Sequence, residues 1–321
     1  MILAEEAHLS IAVATHPGLR GKANEDRYSV TAYHSSSEDP TPSVLAILAD
    51  GIGGHRAGEI AAQLAIDNIS KFIANSPPDR PTLVLTQAFI HTNQLILNFA
   101  GANPKLIGMG TTCVCVWVIG DRLYAASVGD SRLYLERGEN LFCLTTDHTW
   151  VQEALSHGAL TPEQAKAHPN AHIIRRFLGS LNVLQPDIRL RLQPTETDAQ
   201  SENNQGLQLL PGDRLMLCTD GLTDLVLDSE LLNILHKGTL NKIPSQLVDL
   251  ANQRGGHDNI TVVMLEVPQP QPVTLHPQPG PASQIASKKK TGRSTASWWM
   301  IALLSLAILS MLLLLVYLYI H

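Results

Sequence analysis

The fold is decided by the stretch SVLAILADGIGGH, residues 43–55. Its first seven residues are uncharged and mostly apolar, which predicts a strand over 43–49 that is buried on both faces. Asp50 follows this strand, and the glycines after it let the backbone approach another group closely. Apolar residues at helical spacing then predict a helix over 57–75. Asp50 therefore lies at a strand-to-helix turn, where helix capping and cation binding explain it equally well.

Further aspartates lie beside apolar strands in the same way. They are Asp26 before a strand predicted at 27–33, Asp130 in the turn at 129–130, Asp220 after a strand at 214–218, and Asp258 before a strand at 260–267. Turn formation explains any one of them, but it does not explain the whole set. Carboxylates placed this way favour a site for Mg²⁺ or Mn²⁺, which take carboxylates, carbonyls and water as ligands. Because chemistry at such a site runs through metal-activated water, the sequence predicts an enzyme.

The order of predicted elements indicates an α+β domain over residues 1–267, with antiparallel sheets and helices packed outside them. Helices are predicted at 57–75, 81–100, 228–236 and 245–254, and within a polar segment at 147–180. The remaining strands are predicted at 9–16, 110–119, 122–128, 131–137 and 187–193. Turn signals at 120–121 and 129–130 predict hairpins, and 195–208 is expected to be a polar loop.

The chain changes character after residue 267. Residues 268–297 are rich in Pro, Gln, Ser and Thr, and they are expected to form a linker. Residues 298–320 are free of charge and at about 1.5 Å per residue are long enough for a membrane-spanning helix. Basic residues at 288–293 precede this segment, so the positive-inside rule predicts a tail-anchored protein of the inner membrane with a cytoplasmic catalytic domain. The basic cluster is also expected to contact lipid headgroups.

Net charge argues against a nucleic-acid partner. The chain carries −6, and its tail from residue 268 holds four basic and no acidic residues, so the preceding domain carries −10. Nucleic-acid binding depends on neutralising phosphates, which this domain is poorly suited to do.

Six short motifs together carry a resemblance to a known family. They are residues 24–26 (NED), 49–55 (ADGIGGH), 108–112 (GMGTT), 128–132 (VGDSR), 217–222 (LCTDGL) and 258–261 (DNIT). In this order they closely resemble bacterial metal-dependent protein phosphatases of the 2C type, the PPM family, from about Ala7 to Val267. The resemblance implies a four-layer α-β-β-α sandwich of two antiparallel sheets flanked by helices. It also implies that residues 147–180 form a flap beside the active site.

The same resemblance implies a site for two Mn or Mg ions. Asp50 would bridge the ions and the Gly51 carbonyl would bind one of them, while Asp220 and Asp258 would bind the other. Glu25 and Asp26 would hold ions directly or through water, and Asp130 matches the position that binds a third, weaker ion in bacterial relatives. The implied reaction is hydrolysis of phosphoserine or phosphothreonine in proteins by a bridging hydroxide, reversing a bacterial Ser/Thr kinase at the membrane.

One departure from the family concerns phosphate binding. The family places an arginine five residues before the aspartate of the first motif, where this chain has Gly21. Arg20 is the best candidate for that role, because arginine grips phosphate bidentately. Lys22 is the second candidate, and two solvated loop charges are the remaining interpretation. The altered position also supports an alternative function, a phosphatase-like module that binds a phosphoprotein without hydrolysing it. A third hypothesis, a hydrolase of a stress-response partner switch, ranks below both because sensory domains are typical of such proteins.

Overall fold

Two antiparallel sheets form the centre of the computed structural model, which describes residues 1–21, 23–53, 57–166 and 168–269. The first sheet has the strand order β1 (Ile2–Leu3), β3 (Arg27–His34), β4 (Pro42–Ala49), β7 (Cys113–Ile119), β8 (Arg122–Val128) and β11 (Leu207–Gln208). The second has the order β10 (Asn140–Cys143), β9 (Arg132–Arg137), β12 (Arg214–Cys218), β13 (Ile260–Glu266) and β2 (Ser10–His16). A separate two-stranded pair joins β5 (Gly51–Ile52) to β6 (Gly110–Thr111).

Helices cover the outer faces of both sheets. Against the first sheet lie α1 (Ala57–Ala74) and α2 (Pro81–Ala102), which is followed by a 3₁₀ turn (Pro104–Leu106). Against the second lie α7 (Asp228–Lys237) and α8 (Ile243–Gln253). Shorter helices are α3 (Trp150–Ser156), α4 (Pro162–Lys166), α5 (Asp198–Asn203) and α6 (Asp220–Thr223). Pro81 opens α2 at its first position, where the missing N–H costs no hydrogen bond.

Strand β4 shows how one apolar run serves two layers of core. Leu45 and Ile47 pack among the side chains beneath α1 and α2, whereas Val44, Ala46 and Leu48 pack between the two sheets. Alternate residues of a strand point to opposite faces, so a strand that is covered on both sides must be apolar throughout. A third apolar layer lies between the second sheet and α7 and α8. The expected α+β class, with two antiparallel sheets flanked by helices, is confirmed.

Three predictions about individual segments were wrong. The turn at 129–130 is not a hairpin, because β8 and β9 belong to different sheets and the turn carries the chain from one to the other. Residues 187–193 are not a strand: Leu190 N–H donates to Ser201 and Arg191 N–H to Leu144, outside any ladder. The expected loop at 195–208 contains α5 and β11, because Thr197 and Gln200 form a capping box that starts a helix.

The predicted membrane segment falls in a part of the chain that the structure does not describe. Residues 270–321 include the helix predicted at 298–320 and nearly all of the linker predicted at 268–297. Within residues 1–21, 23–53, 57–166 and 168–269, no helix combines the length and apolarity needed to cross a bilayer.

Candidate metal centre

Strand register brings the predicted carboxylates to one end of the sandwich. Arg27 at the start of β3 pairs with Ala49 at the end of β4, and Cys218 at the end of β12 pairs with both Arg132 and Val262. At this end of the sandwich an acidic residue of the predicted site lies within two residues of each of these strands. These residues are Glu25, Asp26, Asp50, Asp130, Asp220 and Asp258.

Asp26 is a buried carboxylate with one satisfied oxygen. Its Oδ2 accepts hydrogen bonds from Thr261 Oγ1 at 2.6 Å and Thr219 Oγ1 at 3.1 Å. Its Oδ1 is buried without a hydrogen-bond partner. Burial, followed by repulsion from Asp220 and Asp258, raises the pKa of Asp26 to about 7. Two hydroxyls orient Oδ2, and Oδ1 has no hydrogen-bond partner, so this carboxylate is suited to bind a cation through Oδ1.

Asp50 is fixed through its backbone. Its carbonyl accepts hydrogen bonds from Thr112 N–H at 2.9 Å and from Thr111 Oγ1 at 2.7 Å, while its own N–H donates to Thr112 Oγ1 at 3.2 Å. These two threonines belong to the 108–112 motif, which explains why that motif accompanies Asp50 in the sequence. Burial, followed by repulsion from Asp26 and Asp220, raises the pKa of Asp50 well above its ordinary value.

The Gly51 backbone lies against the first turn of α1. A Cβ atom added to Gly51 would lie 2.4 Å from the carbonyl carbon of Gly58, so only glycine allows this approach. A Cβ on Gly58 would in turn lie 3.0 Å from the Glu25 carboxyl carbon. Glu25 N–H donates to Asn259 Oδ1 at 2.7 Å. The Gly51 backbone and the Glu25 carboxylate are thus held in one place by close packing.

Asp220 begins α6, and its neighbour Gly221 lies against Asn259, which follows Asp258 and precedes β13. A Cβ on Gly221 would lie 2.0 Å from the Asn259 carbonyl oxygen. Burial, followed by repulsion from Asp224 and Asp258, raises the pKa of Asp220 to about 6. Asp258 itself is exposed at the rim. The expected grouping of Asp50, Asp220 and Asp258 is therefore present in space.

Asp130 lies in the turn that crosses between the sheets. It is only 7% exposed, and its Oδ1 has no hydrogen-bond partner. Burial, followed by repulsion from Asp220 and Asp147, raises the pKa of Asp130 to about 8. Asp130 thus belongs to the same carboxylate cluster.

Two functional candidates were missed in the sequence. His172 from the flap and Asp224 after α6 offer ligand atoms that lie, together with one from Asp220, within 4.8 Å of one another. Asp224 had a local signal, because it lies four residues after Asp220 and four-residue spacing places two side chains on one helical face. The sequence around His172 carries no such signal, since only the folded flap brings His172 to this cluster.

A cleft of about 360 Å³ opens beside the carboxylates. It is lined by Arg20, His172, Asp220, Gly221, Asp224, Leu225, His257 and Asp258. Arg20, the first candidate for phosphate binding, therefore reaches the same cleft as two predicted metal ligands. Lys22, the second candidate, lies outside the described residues.

The donor set fits divalent cations. Buried carboxylates with raised pKa values repel one another, and they ionise together at neutral pH only if positive charge is added. Asp26 and Asp130 each present a buried oxygen that lacks a hydrogen-bond partner. Hard cations take such carboxylate oxygens, together with backbone carbonyls and water.

Comparisons with known proteins agree with this geometry. The family model described as Protein phosphatase 2C matches residues 19–250. The serine/threonine protein phosphatase PstP of Mycobacterium tuberculosis is 36% identical over 249 residues, which are 78% of this chain and 45% of that protein. The chain thus spans about half the length of that relative. Protein phosphatase PhpP of Streptococcus pneumoniae is 34% identical over 264 residues, which are 81% of this chain and 98% of that protein.

Solved structures show the same fold. The S. agalactiae serine/threonine phosphatase has a TM-score of 0.69 at 31% identity, covering 81% of this chain and 99% of its own. The catalytic domain of PstP in complex with two manganese ions has a TM-score of 0.64 at 34% identity, covering 80% of this chain and 97% of its own. The family match over most of the chain, together with these relatives, shows that the chain belongs to the protein phosphatase 2C family.

Proposed function

We propose that this protein hydrolyses phosphoserine and phosphothreonine in proteins, using two Mn or Mg ions. The observation that carries the proposal is the cluster of carboxylates, in which the buried Asp26 and Asp130 each leave an oxygen without a hydrogen-bond partner. Family membership and the PstP structure with two manganese ions support it.

The residues of the cluster have distinct roles in this proposal. Asp50, Asp220, Asp258 and the Gly51 carbonyl would hold the two ions, with Asp50 shared between them, Asp220 and Asp258 on one and the Gly51 carbonyl on the other. Glu25 and Asp26 hold ions directly or through water. Bound divalent cations supply a nucleophile from water at neutral pH and neutralise charge on the phosphoryl group.

Arg20 binds the substrate phosphate in this proposal. It lines the cleft together with Asp220 and Asp258, so a phosphoryl group in the cleft would lie between a guanidinium and the metal ligands. Arginine presents planar, bidentate N–H groups to phosphate oxygens, which fixes the phosphoryl group for attack.

The catalytic test uses the 1–267 fragment. The solved S. agalactiae phosphatase matches this chain over 99% of its own length, so a protein of this size folds alone. With Mn²⁺ and a phosphothreonine peptide, the fragment is expected to release phosphate, and Asp50→Ala is expected to abolish the release. Absence of phosphate release by the wild-type fragment, with or without Mn²⁺, would refute the proposed activity. Peptide binding that survives in both proteins without hydrolysis would establish the binding-module alternative.

We also propose that the enzyme acts at the inner membrane, opposite a Ser/Thr kinase. The charge-free segment at 298–320 and the basic residues at 288–293 support a membrane-spanning anchor with the catalytic domain in the cytoplasm. Fractionation tests this by comparing the full chain with a chain ending at 297. The full chain is expected in the membrane fraction and the shortened chain in the soluble one, and equal distribution of the two would refute the anchor.

A further inference from the structure

We propose that flap His172 is a ligand of an outer cation site with Asp224 and Asp220, and that its imidazole makes this site prefer transition-metal ions over Mg²⁺. The inference rests on the proposed function, because both require divalent ions at the carboxylate cluster. It assigns a metal ligand to a part of the chain, the flap, that carries none of the ligands predicted from the sequence.

The donor atoms have the spacing that one ion requires. His172 Nδ1 lies 3.2 Å from Asp224 Oδ2, and the nearest donors of His172, Asp220 and Asp224 all lie within 4.8 Å of one another. Ligands about 2.1 Å from an octahedral ion are about 3 Å apart when adjacent and about 4.2 Å apart when opposite. Small side-chain rotations therefore suffice to bring the three donors around one cation.

Asp130 provides a second, independent indication of a ligand. It is 7% exposed, and its Oδ1 has no hydrogen-bond partner. Among its charged neighbours, Asp220 repels it most, and Asp220 is a member of the proposed site. A buried carboxylate oxygen without a donor is costly unless something positive completes it. A cation held by His172, Asp220 and Asp224 would lower that cost.

The outer site is open to solvent, in contrast to the buried part of the cluster. The side chain of His172 is 70% exposed and that of Asp224 is 44% exposed, and both line the cleft. Asp26, by comparison, is 4% exposed. An ion held by His172 and Asp224 keeps more water and exchanges more readily, so we expect this site to be weaker than those formed by Asp26 and Asp50.

The imidazole sets the chemistry of the site. Mg²⁺ binds oxygen ligands and keeps its waters, whereas imidazole nitrogen is a common ligand of first-row transition metals. Removing one nitrogen ligand should therefore weaken binding of a transition-metal ion and leave binding of Mg²⁺ nearly unchanged. Because His172 lies on the flap, the ion also connects the flap to α6.

The experiment measures metal binding by the metal-free full chain in detergent. Mn²⁺ is added and the free ion is followed by electron paramagnetic resonance, while nuclear coupling in pulsed spectra reports nitrogen bonded to Mn²⁺. We expect tight binding followed by a weaker equivalent that shows nitrogen coupling. In His172→Ala the weaker equivalent should lose about 10-fold in Mn²⁺ affinity and the nitrogen coupling, with at most about a 2-fold change for Mg²⁺.

His157→Ala is the matched control, because His157 is also exposed on the flap but lies outside the cleft. It should retain both the weaker Mn²⁺ equivalent and the nitrogen coupling. Unchanged Mn²⁺ affinity in His172→Ala, or a weaker equivalent without nitrogen coupling in the wild type, would overturn the inference. If tight Mn²⁺ binding and phosphate release persist in that case, only His172 is excluded as a ligand. If the nitrogen coupling is present but phosphate release is absent, the proposed function fails instead.

Discussion

Asp130 and Asp187 are aspartates of nearly equal burial in opposite electrostatic surroundings. Asp130 is 7% exposed and Asp187 is 9% exposed. Burial and neighbouring carboxylates raise the pKa of Asp130 to about 8. Burial acts on Asp187 in the same direction, but hydrogen bonds from Arg189 outweigh it and hold the pKa of Asp187 below its ordinary value. Pairing, rather than depth, therefore separates the two.

The difference distinguishes a binding site from the structure that supports it. Arg189 donates hydrogen bonds to Asp187, and His148 Nε2 lies 3.4 Å from Asp187 Oδ2. His148 in turn holds the turn before Asp130: its Nδ1 accepts from Gly129 N–H at 3.0 Å, and its backbone N–H donates to the Gly129 carbonyl at 2.9 Å. The paired group thus fixes the position of the unpaired one. A buried charge whose partners lie within the chain stabilises the fold, whereas a buried charge without such partners is suited to bind an ion from solution.

The largest expected effect follows from removing a carboxylate of the metal cluster. Asp220→Asn should lower Mn²⁺-dependent phosphate release by about 10³-fold, because a predicted metal ligand loses its charge. The metal-free variant should be at least as stable as the wild type, since one source of repulsion is gone. Steady-state kinetics and urea denaturation in EDTA measure the two quantities. Full activity in this variant would remove Asp220 from the metal site.

Removing the carboxylate of Asp187 should instead lower the stability of the metal-free protein. Asp187→Asn should lower the free energy of unfolding by about 3 kcal/mol, because Arg189 and His148 lose a buried partner. Urea denaturation in EDTA measures this change. Asp198→Asn is the control: Asp198 also pairs with Arg189, but its side chain is 65% exposed, so a loss below about 1 kcal/mol is expected. Equal losses in the two variants would contradict the distinction between buried and exposed pairs.

The sequence predicted the carboxylates of the metal cluster, but it did not predict the ion pairs of Asp187. Asp50, Asp220 and Asp258 lie beside apolar runs that predict strands. The antiparallel order of those strands brings the ends beside these residues together, so the metal cluster could be predicted. The pairing of Asp187 was not predictable. Its alternating sequence reads as a strand, while the arginine ion pairs and loop hydrogen bonds that replace the ladder depend on the folded chain.

The flap contributes a site residue, His172, that could not be predicted from the sequence. Asp224 lies at helical spacing from Asp220, so its place in the site follows from local geometry. His172 comes from a polar segment with several histidines, and nothing in that segment distinguishes it from His157 or His168. Only the path of the flap, which brings His172 to within 3.2 Å of Asp224, separates the histidine in the cleft from the others.

The stability of the metal-free protein should depend on pH through the carboxylates of the metal cluster. The pKa values of Asp220, Asp26 and Asp130 are raised to about 6, 7 and 8, above the ordinary 3.8. The folded, metal-free protein therefore holds more protons than the unfolded chain between about pH 4 and pH 8, and its stability should fall as pH rises through that window.

Urea denaturation at pH 5.5 and pH 8 tests this sign. In EDTA, the free energy of unfolding should be lower at pH 8 than at pH 5.5. With Mn²⁺ the difference should shrink or reverse, because ion binding favours the ionised carboxylates. A metal-free protein that becomes more stable from pH 5.5 to pH 8 would show that these carboxylates are already ionised and compensated.

The smallest effect concerns how Asp26 is oriented. A chain of hydroxyls reaches it: Asn24 Nδ2 donates to Thr15 Oγ1 at 2.9 Å, the hydroxyls of Thr15 and Thr261 are 2.8 Å apart, and Thr261 Oγ1 donates to Asp26 Oδ2 at 2.6 Å. Thr261→Val keeps the shape of the side chain and removes the last donor. We expect Mn²⁺ affinity to fall by about 10-fold, as when an outer-shell partner of a metal ligand is lost. Thr15→Val, one step further from the carboxylate, should change that affinity by less than about 2-fold. Calorimetric titration of both variants with Mn²⁺ gives the comparison, and equal affinities for the two would mean that Thr219 alone orients Asp26.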